Sequence, residues 1–148
     1  MITPLTELLA RFRACGESRD WASALPADTT IEQAWQMCEH GDWMLWIAAK
    51  LDVDQRLIVL SACGCARLAL PHVTAGETRP LAAIETAESW CRGEATIEQV
   101  RAAARAAAYT AGAAARAETL ARCAGIARTH IPWAAVDAAI TALESQKQ

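Results

Sequence analysis

The sequence predicts an all-α protein, a compact multi-helix bundle of about six to eight alanine-rich helices. Three observations predict it. Alanine supplies 35 of the 148 residues, and alanine has the best helix propensity because it loses no side-chain entropy in a helix. Large apolar residues recur three or four positions apart, between start and stop signals. Val, Thr and aromatic residues nowhere alternate with polar ones over a strand's length.

The elements follow in order. Thr3 reads as the cap of a first helix, with Pro4 at its first position and Leu5, Leu8, Leu9 and Phe12 on one face; Gly16 ends it. Residues 17–29 are polar and broken by Pro26, and read as a loop with at most one turn at 20–24. Thr30-Ile31-Glu32-Gln33 is a capping box that starts a second helix, ending at His40-Gly41. Asp42 caps a third, apolar nearly all round and so expected at the centre. Asp54 caps a fourth, which runs to Pro71. After a loop at 72–78, Pro80 opens a fifth, with Leu81, Ile84, Ala87 and Trp90 at helical spacing and Gly93 as the stop. Thr96-Ile97-Glu98-Gln99 repeats the capping box and starts a long Ala/Arg helix reaching about Arg128, with a break allowed at Gly112. Pro132 opens the last helix, and residues 144–148 read as a frayed tail. The large apolar residues of 43–70 and 81–90 are expected to make the core. The Ala/Arg helix is expected to add bulk and a basic face.

The length fits one α-helical domain over 1–148, and about 150 residues bury roughly 68–70% of their unfolded surface without metals or disulfides. Net charge is −3. Residues 1–60 carry nine acids and five bases, whereas 96–148 carry four acids and six bases. A domain that tracks phosphates would show a strong positive excess. None of the six cysteines forms a C-x-x-C pair, and the opening MITPLTELLARFR lacks the apolar core of a secretory signal. No long apolar run suggests a membrane span. The expectation is reduced, mostly buried thiols and a cytoplasmic location.

No catalytic, metal-ligating or cofactor-binding set emerges, so neither an enzyme nor a cofactor is expected. Cys38 and His40 lie two apart, as do Cys63 and Cys65, but ligands two apart on a helix point about 200° away from each other. His40, His72 and His130 sit at helix ends or loops. Glu88 and Arg92 read as a surface i,i+4 pair, and Arg79 and Glu85 as candidates for pairing inside the bundle. Arg101, Arg105, Arg116 and Arg122 fall within about 120° of arc if their helix is continuous, a face that could meet phosphates or an acidic partner. Trp21 stands apart in a polar stretch. With Glu17, Asp20 and Asp28 it is the first choice for a protein-binding surface, since tryptophan is enriched at binding hot spots.

Three stretches carry a family resemblance. They are Gly41-Asp42-Trp43-Met44-Leu45-Trp46, Arg79-Pro80-Leu81-Ala82-Ala83-Ile84-Glu85, and Trp90-Cys91-Arg92-Gly93-Glu94-Ala95-Thr96 leading into the Ala-rich helix. Over about 41–108 the chain resembles small all-helical bacterial proteins described as immunity proteins of polymorphic toxin systems, with similar-looking proteins in phages. The resemblance implies a non-catalytic module that binds and neutralises another protein, a toxin or a host defence component, as an immunity protein or phage-encoded inhibitor. It brings no catalytic residues. Two other readings of the residues stay open: a self-associating assembly protein, and a helical module that binds nucleic acid through the arginines.

Overall fold

The computed structural model describes residues 3–108 and 116–147. Among them are nine α-helices: α1 Leu5–Arg11, α2 Gly16–Ala24, α3 Ile31–Met37, α4 Gly41–Lys50, α5 Gln55–Arg67, α6 Arg79–Cys91, α7 Ile97–Ala108, α8 Arg116–His130 and α9 Trp133–Ser145. One 3₁₀ turn, Leu70–His72, follows α5, and the described residues hold no strand. The all-helical expectation stands, with more helices than expected. Gly112 lies outside the described residues.

Helix starts follow the capping chemistry. Thr30 Oγ1 accepts from the Gln33 N–H at 3.1 Å, and the Thr30 N–H donates to Gln33 Oε1 at 2.9 Å. Thr96 and Gln99 repeat this at 3.2 and 2.8 Å. Asp54 accepts from the Arg56 N–H at 3.0 Å. Each closes a backbone donor that the helix itself leaves open.

Four expectations need correction. Most of the supposed loop at 17–29 is α2. Its buried face consists of Ser18 and Ala22, with Trp21 packed beside them. Small residues make that face, so the apolar period is weak in sequence, and the Ser18 hydroxyl is satisfied by the Cys15 carbonyl at 2.9 Å. At the first helix, Pro4 takes the cap position and Thr3 turns away. Both the N–H and the hydroxyl of Thr3 donate to Glu144 Oε1, at 2.8 and 2.7 Å. That contact orders the start of the supposed frayed tail, since α9 continues through Ser145. Asp42 lies one residue inside α4, behind His40 as cap, where its charge still favours the positive helix end.

The core also differs from expectation. Its buried cluster joins Leu8, Trp35, Met44, Ala48 and Leu51 to Ala124 and Ala127 of α8, Ile131 just after it, and Val136 and Ile140 of α9. Ala124, Ala127 and Ile131 have no exposed surface. The alanine helix is therefore central, packed against both α4 and α5. In α6 only Ile84 is buried, and this helix lies between α5 and α7.

Glycine makes the α4–α8 contact possible. A Cβ on Gly41 would lie 2.5 Å from Cys123 Cβ and 2.6–2.7 Å from the backbone of Cys123 and Ala124. Further along α8, Arg128 Nη1 donates to the carbonyls of Trp35 and Cys38, at 3.0 and 2.8 Å. These groups close the C-terminal end of α3, where carbonyls lack helical partners.

Gly41→Ala should destabilise the protein by about 1–3 kcal/mol, because the crowding is against backbone and outweighs alanine's helix propensity. Gly125→Ala is the control: it adds the same methyl where nothing lies within 4 Å and should stabilise by about 0.5–1 kcal/mol. Urea unfolding midpoints that moved the same way for both variants would contradict this packing. A second expectation concerns acid. The Thr3 donors hold the Glu144 carboxyl below its usual value of 4.5. Its contribution is therefore complete above that value and disappears as pH falls through the depressed one. Glu144→Gln should flatten the acid limb of stability measured between pH 5 and pH 2 (roughly, the window in which such a carboxyl titrates). An unchanged limb would refute the tie.

Candidate functional site

Helices α1 to α4 border an open cavity of about 630 Å³. That lies within the roughly 300–1,000 Å³ range of pockets that hold ligands. Four of the six tryptophans line it: Trp21 from α2, Trp35 from α3, and Trp43 and Trp46 from α4. Leu8 and Met44 add aliphatic wall. The three-residue spacing of Trp43 and Trp46 puts both indoles on neighbouring faces of α4. Trp35 is buried, while Trp21, Trp43 and Trp46 are half-buried. The two α4 tryptophans are thus wall and not closed core.

The aromatic groups brace one another. The His40 imidazole stacks on Trp43 with centroids 3.7 Å apart and planes within 8°. Trp21 meets Trp43 at 6.1 Å and 59°, a tilted geometry that aromatic quadrupoles favour. Lys50 Nζ sits 5.8 Å from the Trp46 ring centroid, within cation–π range. Charged residues bordering the cavity are Arg13, Glu17 and Asp42. Arg13 takes a left-handed backbone, φ 55°, at the turn between α1 and α2. Burial raises the Cys38 thiol above its ordinary value, against a smaller lowering effect of the His40 backbone; that thiol is held neutral.

Of the residues singled out in the sequence, Glu17 and Trp21 both line this cavity. Asp20 faces a smaller polar hollow with Thr6, Arg19 and Ser23. Asp28 is exposed in the turn after α2. Trp21 is not a free surface indole: it packs against both clusters of buried side chains. The aromatic cavity itself was not read from the sequence. The Trp43/Trp46 spacing signalled an apolar face, but only the path of α1 and α2 leaves that face partly uncovered.

The arginines are divided between helices. Arg101 and Arg105 are exposed on α7, which packs on α6, and Arg122 is exposed on α8, which packs on α4 and α5. The side chain of Arg116 and residues 109–115, on which a continuous stripe depends, lie outside the described residues. Glu88 pairs with Arg67 and not with Arg92, through two hydrogen bonds of 2.8 Å that tie α5 to α6. The Arg67 guanidinium holds the Glu88 carboxyl below its ordinary value. Arg92 turns to Glu94, and Arg79 pairs locally with Glu77; the latter hydrogen bonds lower the Glu77 carboxyl to about 2. Glu85 is exposed.

The cysteines diverge as their spacing requires. Cys63 points at the Ile84 carbonyl of α6, and Cys65 at the Cys123 carbonyl of α8. Burial pushes the Cys63 thiol up to about 11 and raises that of Cys65 as well. Cys38 meets His40 through the backbone carbonyl, not the ring. No group of three or more potential metal ligands occurs among the described residues, and none of their helices is long and apolar enough to cross a membrane.

The described residues thus define an all-helical protein with an apolar, tryptophan-lined hollow at its N-terminal end. The chain belongs to the Imm-5 like putative immunity protein family, whose model matches residues 50–145. The match runs from the end of α4 to the end of α9, further toward the C-terminus than the resemblance seen in the sequence. Most of the cavity wall precedes it; Leu51 and Val136 are the lining residues inside it. No curated protein and no solved structure matches the chain.

Thiol labelling offers a direct check on this geometry. Cys15 is exposed, Cys38, Cys63 and Cys123 are buried, and Cys65 and Cys91 are intermediate. A water-soluble disulfide reagent should modify one thiol of the native protein rapidly, and Cys15→Ser should remove that phase. A fast phase that survives the substitution would show the burial pattern to be wrong.

Proposed function

We propose that this chain is a non-catalytic binding protein that neutralises a partner protein, as a toxin-immunity protein or a phage-encoded inhibitor does. Membership of an immunity-protein family supports the class. The observation that carries the site is the position of Glu17 and Trp21, which share one short helix and both border the apolar cavity. An exposed acidic face beside large apolar groups is how a binding surface combines steering with anchoring. We assign the contact surface to Glu17, Asp20, Trp21 and Asp28, and the partner to the basic proteins. The acid excess of residues 1–60 supports that assignment. The proposal takes residues 1–148 as one domain acting in the cytoplasm, where six free thiols would remain reduced.

The experiment is protection. The chain is co-expressed with the product of the gene beside its own, tested as the toxin, and the purified pair is measured for affinity. Wild type should restore growth and bind stoichiometrically. Trp21→Ala, and the double charge reversal Glu17→Lys with Asp20→Lys, should each raise Kd by at least about tenfold while the helical circular dichroism stays unchanged. A wild-type chain that neither protects nor binds, or variants that bind equally well, would overturn the proposal.

A further inference from the structure

The cavity has properties that the acidic face of α2 alone does not, and they restrict what enters it. Its large walls are indoles, leucines and a methionine. Two polar groups on those walls are already engaged: the Ser18 hydroxyl bonds the Cys15 carbonyl, and the Cys38 thiol the His40 carbonyl. Among the described residues no buried side-chain nitrogen or oxygen lacks a partner. A sugar or nucleotide carries many donors and acceptors and would leave most of them unpaired against these largely apolar walls, which costs about 1–3 kcal/mol per unpaired group. An apolar group loses nothing of that kind. The border carries two carboxylates, Glu17 and Asp42, against one guanidinium, Arg13, and Asp20 stands one residue before Trp21 on the same helix.

We infer that the cavity receives one large apolar side chain, aromatic or long aliphatic, from the partner protein, with a basic residue next to it in the partner's sequence that meets Glu17 and Asp42. The inference rests on the neutralising role proposed above and adds the chemistry by which the partner is chosen. Trp21 belongs to both surfaces, so the anchor and the acidic contact form one continuous site.

The probes are three capped dipeptide amides, Phe-Arg, Phe-Glu and Ala-Arg, titrated into the full chain while the indole N–H resonances are followed by NMR. Phe-Arg should shift Trp21 and Trp43 saturably. Phe-Glu should bind at least about fivefold more weakly, from repulsion at the carboxylates, and Ala-Arg should leave the indoles unmoved. Asp42→Asn with Glu17→Gln, both exposed, should erase the preference for Arg over Glu yet keep the Phe dependence. Leu5→Trp adds bulk at a half-buried lining position and should abolish the shifts in a protein whose spectrum remains dispersed. Equal response to Phe-Arg and Phe-Glu, or shifts confined to residues outside the cavity, would overturn the inference. Protection separates the two claims. If wild type protects and Leu5→Trp protects equally, the anchor is wrong and the neutralising role stands. If wild type itself fails to protect, the role falls and the anchor with it. Loss of protection in Leu5→Trp alone supports both.

Discussion

Helix α8 meets α4 almost backbone to backbone. The absence of a side chain at Gly41 allows the contact, since a methyl there would collide with Cys123 and Ala124. On the α5 side, Gly64 leaves room for Ile126, whose Cγ2 would lie 2.8 Å from an added Cβ. Ala124 and Ala127 complete the packed face, and neither keeps any exposed surface. Small residues bury little area each, but they let two helix axes approach, so dispersion contacts accumulate along both backbones. Once α8 is seated in this way, its Arg128 lies within reach of the open carbonyls of α3. One helix thereby fixes α3, α4 and α5.

The cavity is a consequence of that seating. With α4 held on α8 through Gly41, Met44 and Ala48 are buried, and Trp43 and Trp46 are left turned toward α1 and α2. Those two helices are short, and α2 buries only Ser18 and Ala22. They do not fill the space beside the α4 indoles, and a tryptophan-lined hollow remains. His40 stacking on Trp43 then holds the ring on which Trp21 also packs. The charge around the hollow comes from the solvent side of the same elements: Glu17 on α2, Asp42 in the first turn of α4, and Arg13 in the turn between α1 and α2.

Three helix starts were legible because their capping chemistry is self-contained. The two Thr-Ile-Glu-Gln boxes and the Asp54 cap bond within three residues of themselves, so their spacing alone predicts them. Helix α2 was not legible, because its buried positions are serine and alanine and leave no large apolar period. Glu88 shows the same limit from the charged side. Its i+4 neighbour Arg92 is the natural partner along the chain, yet Arg67 on α5 reaches it with two bonds in a fork geometry. In the candidate site, Trp21 and Glu17 were visible as unusual residues. That they border a shared cavity with Trp43 and Trp46 was not.

By itself the sequence determined the all-helical class, where most helices begin, and the acid excess of the N-terminal part. These depend on propensity, capping and composition, which act within one or two turns of chain. Only the tertiary structure decided which alanines are core, which partner Glu88 takes, and that Thr3 orders Glu144 near the far end of the chain. It also decided that an aromatic hollow opens between α1 and α4. Each of these depends on how closely two distant backbones approach, and alanine and glycine allow close approach without marking in the sequence where it happens.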